Sequence, residues 1–196
     1  MNKAVFLDKD GTLVHDVPYN VDPEKITFYE GVHEALHSLR QHGFLLIMVT
    51  NQGGLAKGFF NEEQLLTSLD HIQRTLKRSG VALDDILFCP HHPHGTVKAL
   101  SKPCSCRKPE PGMLLKALEK WNVTPGRSWM IGDILNDVEA GNRAGLRTVL
   151  IDNGHETEWM AGPQRNPDLR VASIGEAAMS IINLPTQSFE EILHET

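Results

Sequence analysis

Short apolar runs alternate along the chain with longer segments whose apolar positions recur every three or four residues. "KAVFLD" at 3–8, "FLLIMVTN" at 44–51, "ILFCP" at 86–90, "WMIGD" at 129–133 and "TVLID" at 148–152 read as buried strands, with "LRVAS" at 169–173 as a last one. Between them, "GVHEALHSLRQHG" places Val32, Ala35, Leu36 and Leu39 at helical spacing, with Gly43 as its stop. A second helix is expected near 62–79, with Asn61 as N-cap and two glutamates in its first turn, where the helix dipole favours them. Further helices are expected from Pro111 through "GMLLKALEKW", near 135–144, and over "IGEAAMSIIN". Strand and helix alternate, and the strands are apolar almost throughout. That pattern predicts an α/β protein, a doubly wound, mostly parallel sheet covered on both faces. No linker composition interrupts residues 1–184, so one domain is expected there, followed by an acidic tail at 185–196.

Composition narrows the class. Of 196 residues, 40% are hydrophobic and 22% charged, as in ordinary globular proteins, and the net charge of −6 argues against a broad nucleic-acid face. It leaves room for a small anionic substrate, which needs only a few local cations. The longest apolar stretch is too short to span a bilayer, and no secretory signal opens the chain. Three cysteines are an odd count for a disulfide framework. The expectation is a cytoplasmic monomer with neither a membrane nor a nucleic-acid partner.

Polar residues cluster where the predicted strands stop: Asp8, Thr50 with Asn51, Cys89, and Asp133. Asp8 and Asp10 flank a turn at Gly11–Thr12, where aspartate is common for structural reasons alone. In an open α/β sheet, however, the carboxyl ends of the strands line one crevice, so Asp8, Thr50 and Asp133 are expected to share a site. Two carboxylates brought together repel unless a cation sits between them, and hard oxygen donors with room for water and phosphate suit Mg²⁺. An aspartate can also be a covalent nucleophile towards phosphorus. No GxxxxGK[ST] loop is present for a nucleoside triphosphate, which favours transfer of phosphate to water.

The motifs "DKDGT", "VTN", "RKP" and "GDILND", in that order over residues 8–137, resemble the haloacid dehalogenase superfamily of phosphatases. The resemblance implies a Rossmann-like fold with a minimal cap and a small phosphorylated metabolite as substrate. It implies that Asp8 attacks phosphorus, and that Asp10 protonates the leaving oxygen and then activates water. Thr50, Asn51, Gln52 and Lys108 would surround the phosphoryl group, and Asp8, the Asp10 carbonyl and Asp133 would hold Mg²⁺. Asp137, four residues after Asp133, is expected in support of that cluster.

All three cysteines fall in the loop at 89–109. Cys89, His91, Cys104 and Cys106 form C-x-H and C-x-C pairs, and four such donors suit a structural Zn²⁺. His92 and His94 compete with His91 on spacing alone. The same loop pattern resembles the subgroup of the superfamily that contains heptose bisphosphate and histidinol phosphate phosphatases, which supports His91. Lys57, after the glycine-rich turn "QGGLAKGFF", and Arg107 would then bind a second, unreacting phosphate, which favours a sugar bisphosphate over an amine-bearing substrate. Ile134 departs from that subgroup, which tends to have Lys after this aspartate. A non-catalytic zinc-containing binding module is the contrasting reading, and it leaves the acidic motifs unexplained.

Overall fold

The computed structural model describes residues 1–184; the tail expected at 185–196 lies outside them. Six strands form one sheet: β1 (Lys3–Leu7), β2 (Phe44–Asn51), β3 (Asp85–Cys89), β4 (Trp129–Gly132), β5 (Arg147–Ile151) and β6 (Leu169–Val171). Their order is β3-β2-β1-β4-β5-β6, and every neighbouring pair is parallel. The chain thus winds outward from β1 in one direction and then from β4 in the other. The point of reversal lies between β1 and β4, where such sheets bind ligands.

The continuous apolar runs arise because both faces are covered. Val5, Leu7, Leu46, Met48 and Ile131 face one core with α1 (Val32–Gln41), α3 (Glu62–Arg78) and α6 (Ile174–Asn183). Ala4, Phe6, Ile47, Val49 and Met130 face the other, with α4 (Gly112–Lys120) and α5 (Leu135–Arg143). Leu46 and Ile47, adjacent on β2, are both fully buried on opposite faces. Truncating either to Ala would cost about 2–5 kcal/mol.

Local signals set the helix ends. Asn61 accepts from Gln64 N and its own N–H donates to the Gln64 side chain, a reciprocal cap that fixes the start of α3. Gly43 closes α1 with a φ of +78°. The glycine-rich turn departs from expectation: it contains one helical turn, α2 (Gly54–Lys57), ended by Gly58 at φ +72°. Gly54 is needed there because a Cβ would overlap the Phe60 ring.

Candidate active site

Asp8 and Asp133 follow the hydrogen-bonded neighbours β1 and β4, so their side chains meet at the reversal point. Asp137, in the first turn of α5, joins them across Gly132, where a Cβ would overlap the Asp137 side chain. One oxygen of each carboxylate lies within 4.8 Å of the others, and all three residues are buried. At that separation two like charges repel by roughly 3 kcal/mol at an effective dielectric of about 20.

One cation from the protein answers this. Lys108, only 4% exposed, places Nζ 2.5 Å from Asp8 Oδ1, 2.6 Å from Asp137 Oδ1 and 2.9 Å from the Val49 carbonyl. Burial lowers the Lys108 pKa, but the Asp137 and Asp8 carboxylates outweigh it and hold the ammonium above its ordinary value. Burial first, then the Asp8 and Asp137 charges, push Asp133 up to about 9. Asp137 is likewise raised by burial, and the opposing Lys108 charge leaves it at about 6. One ammonium against three carboxylates leaves an excess of two negative charges when all are ionised. A divalent cation with oxygen ligands matches that deficit, so the donor set fits Mg²⁺.

Asp10 stands beside this cluster, half-buried. Lys9, 2% exposed, ion-pairs with Asp10 Oδ1, and Gln52 Nε2 donates to Asp10 Oδ2 at 3.3 Å. Burial raises the Asp10 pKa first, the Lys9 charge opposes it, the Asp8 carboxylate adds to it, and the net displacement is upward. The same Gln52 amide donates to Thr50 Oγ1 at 2.9 Å, which leaves the buried Thr50 hydroxyl hydrogen available to another acceptor. Asn51 is engaged differently from a free phosphate ligand. Its amide donates to the Lys108 carbonyl and accepts from the Lys108 N–H, both at 3.0 Å, and so clamps the backbone that carries the ammonium.

Lys57 and Arg107 are not in contact with the carboxylates. Arg107 Nη1 donates to the His91 carbonyl at 3.3 Å, and a Cβ on Gly53 would crowd both Arg107 and His92. Lys57 bonds to the Tyr19 hydroxyl, and its Nζ lies 4.8 Å from the ring centroid. The His92 imidazole is held below its ordinary pKa by burial first, then by Arg107 and Lys57. The two cations therefore flank one positive patch built from the glycine turn and the cysteine loop.

That loop gathers Cys89, His91, Cys104 and Cys106 into one group of donors within 4.8 Å of each other. Sulfur–sulfur separations run from 3.0 to 3.6 Å, all three cysteines are free, and His91 Nδ1 is 3.3 Å from Cys106 Sγ. Burial and the neighbouring Cys106 drive the Cys89 thiol strongly upward, a cost that a cation binding the thiolates removes. The set fits tetrahedral Zn²⁺. The group takes in His91 and neither His92 nor His94, whose ring centroids lie 6.0 Å apart from each other.

Lys9 and His155 enter the site without a sequence expectation. His155 Nδ1 lies 2.7 Å from Asp133 Oδ2. Its signal was its place, just past "VLID" at the carboxyl end of β5, beside the strand that carries Asp133.

Comparison with known proteins shows what the chain resembles. Residues 105–177 match the family described as HAD-hydrolase-like. The chain is 44% identical over 155 residues, 79% of its length and 84% of the relative's, to the D-glycero-beta-D-manno-heptose-1,7-bisphosphate 7-phosphatase of Pasteurella multocida. Against the protein of that name from Escherichia coli K12 it is 41% identical over 152 residues, 77% of this chain and 80% of that one. Among solved structures, the D,D-heptose 1,7-bisphosphate phosphatase of B. bronchiseptica, complexed with magnesium and phosphate, superposes with a TM-score of 0.79 at 28% identity, covering 93% of this chain and 98% of that one. Among the described residues no helix is long and apolar enough to cross a membrane.

Proposed function

The chain belongs to the HAD-like phosphatase family, and from that premise we propose that it removes the 7-phosphate of D-glycero-D-manno-heptose 1,7-bisphosphate. The observation that carries the chemistry is the buried Asp8 carboxylate at the sheet's reversal point, 2.5 Å from the Lys108 ammonium and packed against Asp133.

Asp8 attacks phosphorus, and an Asp8–phosphorus bond forms as the bond to the sugar oxygen breaks. Asp10, whose raised pKa favours a protonated carboxyl, delivers its proton to that oxygen. It then takes a proton from the water that attacks the aspartyl phosphate, releasing inorganic phosphate and the Asp8 carboxylate. Lys108 and the Thr50 hydroxyl hold phosphoryl oxygens, and the Asn51 clamp keeps Lys108 in place. Asp8, the Asp10 carbonyl and Asp133 would hold Mg²⁺, which supplies charge stabilisation for the transferring phosphoryl group. Gln52 orients Asp10 and Thr50 together.

The substrate follows from the relatives and from the patch of Lys57 and Arg107, which suits a second phosphate. Cys89, His91, Cys104 and Cys106 hold a structural Zn²⁺ that fastens the segment carrying both Arg107 and Lys108. We place the enzyme in the cytoplasm as a monomer, where reduced thiols serve as metal ligands. Phosphate release from heptose 1,7-bisphosphate and from histidinol phosphate, assayed side by side with Mg²⁺, tests the assignment. A higher kcat/KM for the bisphosphate, with Arg107→Ala reducing it most, is expected. Equal or better turnover of histidinol phosphate would reject the substrate and leave the phosphatase chemistry standing.

A further inference from the structure

The three clustered carboxylates are not equally served. Lys108 contacts Asp8 and Asp137, whereas the donors to the Asp133 carboxylate are His155 at 2.7 Å and the distant Thr12 hydroxyl at 3.4 Å. Ile134, the next residue along, has no side-chain donor to offer. We propose that His155 is a positioning residue for Asp133, fixing its carboxylate so that a lone pair faces the cation site shared with Asp8. This rests on the reading of Asp133 as a Mg²⁺ ligand.

The geometry around His155 is built for such a task. Residues 152–168 connect β5 to β6, and the segment is fastened on both sides of His155. Asn153 Nδ2 donates to the Gly11 carbonyl at 2.8 Å, in the turn between Asp10 and Thr12. Glu156 Oε2 accepts from Leu135 N at 2.7 Å, satisfying an open N–H at the start of α5. The imidazole is therefore held between the nucleophile's turn and the helix that carries Asp137. Gly11, at φ +80°, makes the pairing possible, because a Cβ there would overlap both the Asp133 carboxylate and the His155 ring.

Once Asp133 is ionised to bind the cation it only accepts, so His155 Nδ1 then carries the hydrogen, and the neutral ring suffices. The bond consumes one lone pair of Oδ2 and fixes the rotamer of Asp133. Hydrogen-bonded partners of metal-binding carboxylates typically govern metal affinity by about 10–100-fold. The His155 side chain remains 32% exposed, so it closes the solvent edge of the crevice without contributing to the core.

Mg²⁺ titration calorimetry on the substrate-free enzyme tests the assignment without relying on turnover. His155→Ala and His155→Phe, which lack the donor, should weaken Mg²⁺ by about 10–100-fold. His155→Asn, whose amide nitrogen falls near the Nδ1 position, should restore most of the affinity. With Mg²⁺ saturating, KM for the phosphorylated substrate should be nearly unchanged in all three. The inference is overturned if the wild type binds Mg²⁺ and the donor-free variants bind it equally well, or if His155→Asn binds as weakly as His155→Phe. A wild type that does not bind Mg²⁺ overturns the cation reading itself.

Discussion

Asp133→Asn should make the Mg²⁺-free enzyme more stable at neutral pH while removing its activity. In the unfolded chain Asp133 loses its proton near the ordinary value of 3.8; in the fold, burial and then the Asp8 and Asp137 charges delay that to about 9. Between those limits the native state binds more protons than the unfolded one, so stability falls as pH rises, by about 1.4 kcal/mol per unit. From 3.8 to pH 7 this reaches a ceiling of about 4 kcal/mol. Asn is isosteric with the protonated carboxyl and carries no such penalty, and it leaves the core volume unchanged. For a chain of this size about 1 kcal/mol moves Tm by roughly 2–4 °C, so a gain of several degrees is expected. Thermal melts after dialysis into Mg²⁺-free buffer, without a chelator that would strip zinc, give the comparison. The gap should shrink by more than half between pH 7 and pH 5. Added Mg²⁺ should close it further by stabilising only the wild type. A variant no more stable than the wild type at pH 7, or a gap independent of pH, would refute the charge accounting of the cluster.

The remaining expectations concern chemistry, metal and fold. Asp8→Asn should abolish phosphate release, and Asp10→Asn should lower kcat by about 10²–10⁴-fold, with both proteins folded by circular dichroism. Enzyme purified without chelator should carry about one zinc per chain by elemental analysis, and Cys104→Ser should lower zinc content, Tm and activity together. Asn51→Ala, which removes the clamp on Lys108, should reduce kcat with Tm altered less than in Cys104→Ser. Asn61→Ala should cost about 1 kcal/mol in urea unfolding without affecting kcat, because the cap lies outside the carboxylate cluster.

The strands were legible because burial on both faces writes nearly unbroken apolar runs, and a polar residue at the end of such a run stands out. Asp8 and Asp133 were found this way, and their meeting follows from the parallel pairing of β1 with β4. Cys89, Cys104 and Cys106 were legible by rarity: the chain has no other cysteine. Their His partner could not be chosen by spacing; the fold brings His91, not His92 or His94, among the sulfurs. Lys9 was hidden because a lysine between two aspartates reads as a solvated turn, whereas the structure buries it against Asp10. His155 was hidden because residues 152–168 carry no periodic pattern, and its contact exists only through tertiary closure. The short helix α2 was masked by its glycines: Gly54 is there because a Cβ would overlap the Phe60 ring, and Gly58 ends the turn at φ +72°.

The division of labour across the sheet bears on how such an enzyme changes over generations. Asp8 sits after β1 and Asp133 after its neighbour β4, both buried, and Lys108 is buried and clamped by its backbone. Lys57 instead ends the short helix α2 and Arg107 rides on the cysteine loop, both at the margin outside the carboxylate cluster. Mutation can therefore rewrite the margin at little cost to folding, while the centre tolerates almost none. A lineage can drift from one phosphorylated metabolite to another by editing a few loop residues, with the turnover apparatus inherited intact. The cysteine loop makes this asymmetry sharper, because the marginal Arg107 and the buried, clamped Lys108 are consecutive residues.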